Sequence, residues 1–142
     1  MTAIPASARE LINSDSLGHL VTLNADGSPQ TTCVWVGLAE DDENEIVFSS
    51  LDDRQKLRNI RLDPRVSLSI EAKSPPNEWG LVPYLVVRGT ARITEGGGPA
   101  LLHRLAQTYL GPGSTFPPVD DPPEGFIVHL TPDKIGGVGP WA

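Results

Sequence analysis

Ser49-Ser50-Leu51-Asp52-Asp53-Arg54-Gln55-Lys56-Leu57-Arg58-Asn59-Ile60 is the stretch from which the rest of the chain can be read. It reads as a short strand that ends in two hydroxyls and opens into a helix with cations in its first turn. Five of the chain's eleven Lys and Arg residues, Arg54, Lys56, Arg58, Arg61 and Arg65, fall within twelve positions here. Cations at a helix start oppose the positive end of the helix dipole, so they require nearby carboxylates or a bound anion. Asp52 and Asp53 would meet the first requirement. A phosphate held by Ser49, Ser50, the helix N-terminus, Arg54 and Lys56 would meet the second. On a helical wheel Arg54, Arg58 and Arg61 share a face beside Leu57 and Ile60, which docks the helix on a core and is equally the pattern of a solvated amphipathic helix. Position favours Arg54 and Lys56 as the anion ligands, because backbone N–H groups, hydroxyls and fixed charge converge there. Arg58, Arg61 and Arg65 are expected to be structural or peripheral.

Working outward, the helix, expected over roughly residues 53 to 62, must stop before Pro64, since the residue preceding a proline is pushed out of helical conformation. Val66-Ser67-Leu68-Ser69-Ile70 then alternates apolar and polar residues as a half-buried strand does. Upstream, Gly18 to Asn24 and Pro29 to Val36 flank Ala25-Asp26-Gly27-Ser28, whose Asp-Gly supplies the positive φ of a hairpin turn. The acidic run Glu40 to Glu45 reads as a solvated hairpin tip before a strand over Ile46 to Ser50. Pro5 to Asn13 reads as a short covering helix. Downstream, Leu81 to Thr94 predicts a long strand with a bulge or bend at Gly89, and Pro99 to Leu110 a helix with Leu101, Leu102, Leu105 and Tyr109 on one face. A proline-rich loop, a last strand over Phe126 to Leu130 and a glycine-rich tail ending at Trp141 complete the chain. Six closely spaced strands with inserted helices predict a single domain over residues 1–142, mainly β with peripheral helices: a six-stranded antiparallel barrel.

Composition narrows the function classes. A net charge of −7 excludes the broad basic surface that nonspecific nucleic-acid binding needs, whereas a local positive patch suits a small anionic ligand. One cysteine, Cys33, has no intrachain disulfide partner and no zinc-ligand spacing around it, which fits a reducing cytoplasmic setting. No apolar run approaches the roughly 20 residues that cross a bilayer, and the start of the chain lacks a signal pattern, so a soluble intracellular protein is expected. His19, His103 and His129 lack metal-site spacing and are assigned to packing or surface roles, with no metal expected. Cys33, mid-strand and without a sequence-adjacent histidine, is expected to be a buried small hydrophobe.

The stretch Ser49-Ser50 through Asp63-Pro64-Arg65-Val66-Ser67-Leu68 resembles the phosphate-binding strand-helix-strand of the pyridoxamine 5'-phosphate oxidase-like split β-barrel superfamily. The hairpin Gly18 to Val36, with Asp26-Gly27-Ser28-Pro29-Gln30 at its turn, matches the opening of that superfamily in order and spacing. Its flavin mononucleotide (FMN) enzymes typically place Arg and Lys side by side; the order Arg54-Gln55-Lys56 and the Gly-Val-Gly-Pro-Trp tail look more like the actinobacterial oxidoreductases that use the deazaflavin coenzyme F420. The resemblance implies that Ser49, Ser50, Arg54, Gln55 and Lys56 hold the cofactor phosphate and that Thr31, Thr32, Cys33, Val34 and Trp35 run along the ring. It further implies a homodimer in which each pocket is completed by the partner, with Trp79, Tyr84 and Trp141 as candidates for that wall. Lys73 and Arg61 are candidates for the anionic tail of F420. The implied activity is hydride transfer from reduced F420 to an unsaturated or quinone-like small molecule. FMN as cofactor, and a non-catalytic flavin or deazaflavin carrier, are the alternatives.

Overall fold

In the computed structural model, which describes residues 2–142, the elements follow the order α1 (Ala6–Ile12), β1 (Gly18–Leu23), β2 (Pro29–Val34), β3 (Gly37–Ala39), β4 (Asp42–Ser50), α2 (Gln55–Leu62), β5 (Arg65–Glu71), β6 (Tyr84–Glu95), α3 (Gly98–Tyr109) and β7 (Phe126–Val138). All strands join one antiparallel sheet in the order β2-β1-β5-β6-β7-β4-β3. The expected six-stranded split barrel is therefore corrected in its strand count: the sheet has seven strands and is open, with β2 and β3 as its edges. The extra strand, β3, is three residues long, too short for alternation to reveal. Its partner β4 begins at Asp42, so the acidic run is mostly strand, and only Glu40 and Asp41 form the tip.

The last strand also exceeds its expected length. Instead of a free tail, Gly136, Gly137 and Val138 pair with Val86, Leu85 and Tyr84 of β6. Gly137 has φ +100°, and a Cβ there would strike the Tyr84 carbonyl, so glycine is what lets the strand continue. The expected bend at Gly89 is present as a register shift between Arg88 and Gly89. A side chain at Gly89 would run into the Thr131 carbonyl oxygen on β7.

The inner face of the sheet supplies the main core, including Leu20, Ile46, Phe48, Leu68, Ile70, Leu85, Val87 and Leu130. Ile4, Ala8 and Ile12 close one part of it, and Leu57 and Ile60 of α2 another. Each such aliphatic side chain contributes about 1.5–3 kcal/mol when fully removed from water. A smaller core of Val47, Leu101 and Leu105 lies under α3, with Trp35, Tyr109 and Ile127 packed on it. Among the described residues no helix is long and apolar enough to cross a membrane.

Candidate functional site

The charges of the basic run separate once their partners are known. Arg58 donates to the Asp53 carbonyl at 2.7 Å and to the Gln55 side chain at 3.0 Å. Arg61 donates to the Asp53 carboxylate at 2.7 Å and lies over the Phe126 ring. Arg65 forks onto Asp63, whose pKa that hydrogen bonding, above all, lowers to about 2. These three cations are structural. Arg54, at the N-cap of α2, has only a loose exposed contact with Asp52 at 3.5 Å.

Lys56 differs from all of these. It is 8% exposed and has no ion pair or hydrogen bond among the described residues. Burial first, and the neighbouring Arg54 charge second, push its pKa down from the ordinary lysine value. The stem is packed while the ammonium keeps contact with solvent. No side chain caps the helix, and no acidic residue lies in its first turn, so the N–H groups of Gln55 and Lys56 have no acceptor in the described chain. Lys56 without a partner, Arg54 held only loosely by Asp52 and the free N–H groups beside them together fit a phosphate.

The remaining residues expected at this grip have other partners. Ser49 donates its hydroxyl to the Gly98 carbonyl at 2.9 Å, and Ser50 donates to the Asp52 carbonyl at 2.6 Å, closing the turn into the helix. Their oxygens can still accept, but their protons are committed. Gln55 donates at 2.8 Å to Asn59, which sequence reasoning missed. Fully buried, Asn59 donates to Thr22 at 3.0 Å and to Asn24 at 2.8 Å, tying α2 to the β1–β2 hairpin. An amide one position before Ile60 on a docking helix was the available signal for it.

That hairpin carries the candidate ring strand. Along β2, Thr31 and Cys33 are exposed on the outer face, whereas Thr32 is half-buried and Val34 belongs to the core. Val34 can therefore offer only its backbone, and as an edge strand β2 leaves one row of N–H and C=O groups unpaired. The expectation that Cys33 is buried is corrected: it is exposed and lies opposite His19 across the β1–β2 register. Which face a mid-strand residue takes is set by that register and not by its own type.

The three tryptophans occupy unlike environments. Trp35 stacks on Tyr109 at 5.2 Å and meets Phe116 at 5.1 Å, within the smaller core. Trp141 donates to the Tyr84 carbonyl at 3.0 Å and packs on the main core, walling a cavity of about 330 Å³ with Leu11, Lys73 and Pro83. Trp79 is 81% exposed on a loop folded around Asn77, close in sequence to exposed Leu81 and Tyr84. The candidates for an anionic tail are already paired, Lys73 with Asp15 at 3.1 Å and Arg61 with Asp53. Among the described residues no cluster of three His, Cys, Asp or Glu side chains could hold a metal.

Comparison with known proteins bears on the family and the fold. A solved F420 reductase is 28% identical, with a TM-score of 0.74 over 94% of this chain and 98% of that one. The HupZ protein of Group A Streptococcus, 20% identical over 98% and 97% of the two chains, has a TM-score of 0.68. A conserved hypothetical protein from Mycobacterium tuberculosis, 24% identical over 96% and 87%, also has a TM-score of 0.68, and these last two show the fold. The sequence model of the pyridoxamine 5'-phosphate oxidase family matches residues 4–137, nearly the whole chain, and the protein belongs to that family.

Proposed function

We propose that the protein is an F420-dependent oxidoreductase, a homodimer that passes hydride to an unsaturated or quinone-like small molecule. The observation that carries the reading is Lys56, a buried cation without a partner beside Arg54 at an uncapped helix start. In this reading Lys56, Arg54 and the N–H groups of Gln55 and Lys56 hold the cofactor phosphate. The outer face of β2, with Thr31 and Cys33 exposed, and its unpaired edge would orient the ring. The bound reduced deazaflavin supplies the hydride, so the chain's own contribution is binding, alignment and exclusion of water. Exposed Trp79, Leu81 and Tyr84 support a partner subunit as the missing wall.

The 28% likeness to an F420 reductase and the Arg54-Gln55-Lys56 spacing favour the deazaflavin. The phosphate grip itself would serve FMN equally, and membership of the oxidase family supports that second reading. Titration of the purified protein with F420 and with FMN, followed by fluorescence and native mass, separates the two. Arg54→Ala with Lys56→Ala should weaken cofactor binding by several kcal/mol, roughly the sum of two charge-assisted contacts, while Arg58→Ala should matter much less. Equal small effects from all three would refute the phosphate grip.

A further inference from the structure

Gln55 lies between Arg54 and Lys56 in sequence, yet its side chain is engaged elsewhere. Its Oε1 accepts from Arg58 at 3.0 Å, and its Nε2 donates to Asn59 Oδ1 at 2.8 Å. Asn59 Nδ2 donates in turn to Thr22 Oγ1 at 3.0 Å and to Asn24 Oδ1 at 2.8 Å. Asn24 Nδ2 then donates to Ser28 Oγ at 3.1 Å. Each amide in this line accepts from the α2 side and donates toward the hairpin, so the bonds polarise one another in a single sense. The line starts at a residue whose backbone N–H is free for the phosphate and ends at Ser28, immediately before β2.

Among the described residues the two bonds from Asn59 are the only hydrogen bonds between α2 and residues 18–34. Leu57 and Ile60 also seat α2 on the core, but apolar contact is non-directional and does not fix a register. Arg58 and Arg61 tie the helix to Asp53, in its own lead-in. Asn59 is fully buried, and none of its polar atoms lacks a partner, so releasing it from the hairpin leaves groups that water does not reach. Strand β2, for its part, is an edge strand paired with β1 alone, and Thr22 lies on β1. Where β2 sits is therefore decided by a strand that Asn59 holds.

We propose that Asn59 is the positioning residue that makes the two halves of the cofactor site one unit, a coupling that rests on the phosphate grip and the ring strand proposed above. Phosphate bound by Arg54, Lys56 and the free N–H groups suppresses fraying of the first turn of α2. That turn carries Gln55, so the ion also keeps Asn59 in line and the β1–β2 hairpin ordered. A ring arriving at β2 then meets a strand whose ordering cost has already been met, which is cooperativity between phosphate and ring without a change of shape.

The test is amide exchange of the full chain with and without inorganic phosphate, at about 100 times its Kd, where openings that release the ion slow about 100-fold. The expected result is the same slowing at the Leu57 and Arg58 amides, which bond to the Arg54 carbonyl, and at the Asn24 and Gly27 amides, which close the hairpin turn. In Asn59→Leu the α2 amides should still slow on adding phosphate, while the hairpin amides lose the response. Thr22→Val with Asn24→Ala removes both acceptors on the hairpin and leaves the Gln55–Asn59 bond in place. It should uncouple the hairpin in the same way, which separates loss of the tie from damage to the helix. Slowing confined to one of the two segments in the wild type, or a hairpin that slows equally in the variants, would overturn the proposal and leave the grip standing. Phosphate that slows neither segment would overturn the grip, and the coupling with it.

Discussion

Replacing Lys56 by methionine separates function from stability at one position. Methionine keeps the length and packing of a side chain that is 8% exposed, and it removes an ammonium that no carboxylate compensates. Because the ammonium meets solvent and only the stem is packed, removing the charge while preserving volume should leave the protein as stable as, or slightly more stable than, wild type. The same change deletes one charge-assisted contact to the phosphate, a loss of about 1.5–3 kcal/mol, which corresponds to roughly a 10- to 150-fold weaker Kd. Urea denaturation reads the first quantity, and isothermal titration with FMN and F420 reads the second. The pH dependence adds a sign. Lys56 has a folded pKa below its unfolded value of 10.5, so the unfolded chain binds the extra proton between the two. Wild-type stability should therefore gain as pH rises through that alkaline window, and Lys56→Met should lose this gain. A methionine variant that is less stable than wild type yet binds both cofactors unchanged would refute the argument.

Asn59→Ala strands Gln55, Thr22 and Asn24 beneath α2 and should cost about 2–3 kcal/mol in urea, with α2 the first segment to lose amide-exchange protection. Gly89→Ala forces a methyl into the Thr131 carbonyl at the bulge and should cost about 3 kcal/mol or more, measured by thermal unfolding. Asp63 should titrate near 2 by carboxyl NMR and return toward the ordinary range in Arg65→Ala. Its contribution to stability is present above its unfolded pKa of 3.8 and disappears as pH falls through about 2.

What the sequence disclosed was local. Asp26-Gly27 announces the β1–β2 turn because few residues tolerate its backbone, and the bend at Gly89 and the stop of α2 before Pro64 follow from equally short-range sterics. That Arg58 and Arg61 turn to partners within the chain was legible too, because position along a helix fixes who can meet Asp53. Hidden features depended on register. Cys33 faces outward beside His19 because β1 pairs with β2 in one frame and not the next. Asn59 finds Asn24 across 35 residues, and Glu45 finds His129 across 84, separations at which no periodicity speaks. The short β3 and the long end of β7 exist because a neighbouring strand is there to pair with them.

The two edges of the sheet are consecutive in sequence, since only Trp35 and Val36 lie between the end of β2 and the start of β3. Three backbone steps reach at most roughly 11 Å, so the two free edges are leashed together at that point. The barrel is in effect a sleeve with a slit, and widening the slit breaks no rung of the sheet. What resists it is the bolt across it: Trp35 stacked on Tyr109, and the Val36 N–H donating to the Tyr109 hydroxyl at 3.1 Å. Helix α3 thereby governs how far the strand proposed to carry the ring can swing, and a loosened bolt would speed amide exchange along β2 and β3 while β5, β6 and β7, each held on both sides, stay protected.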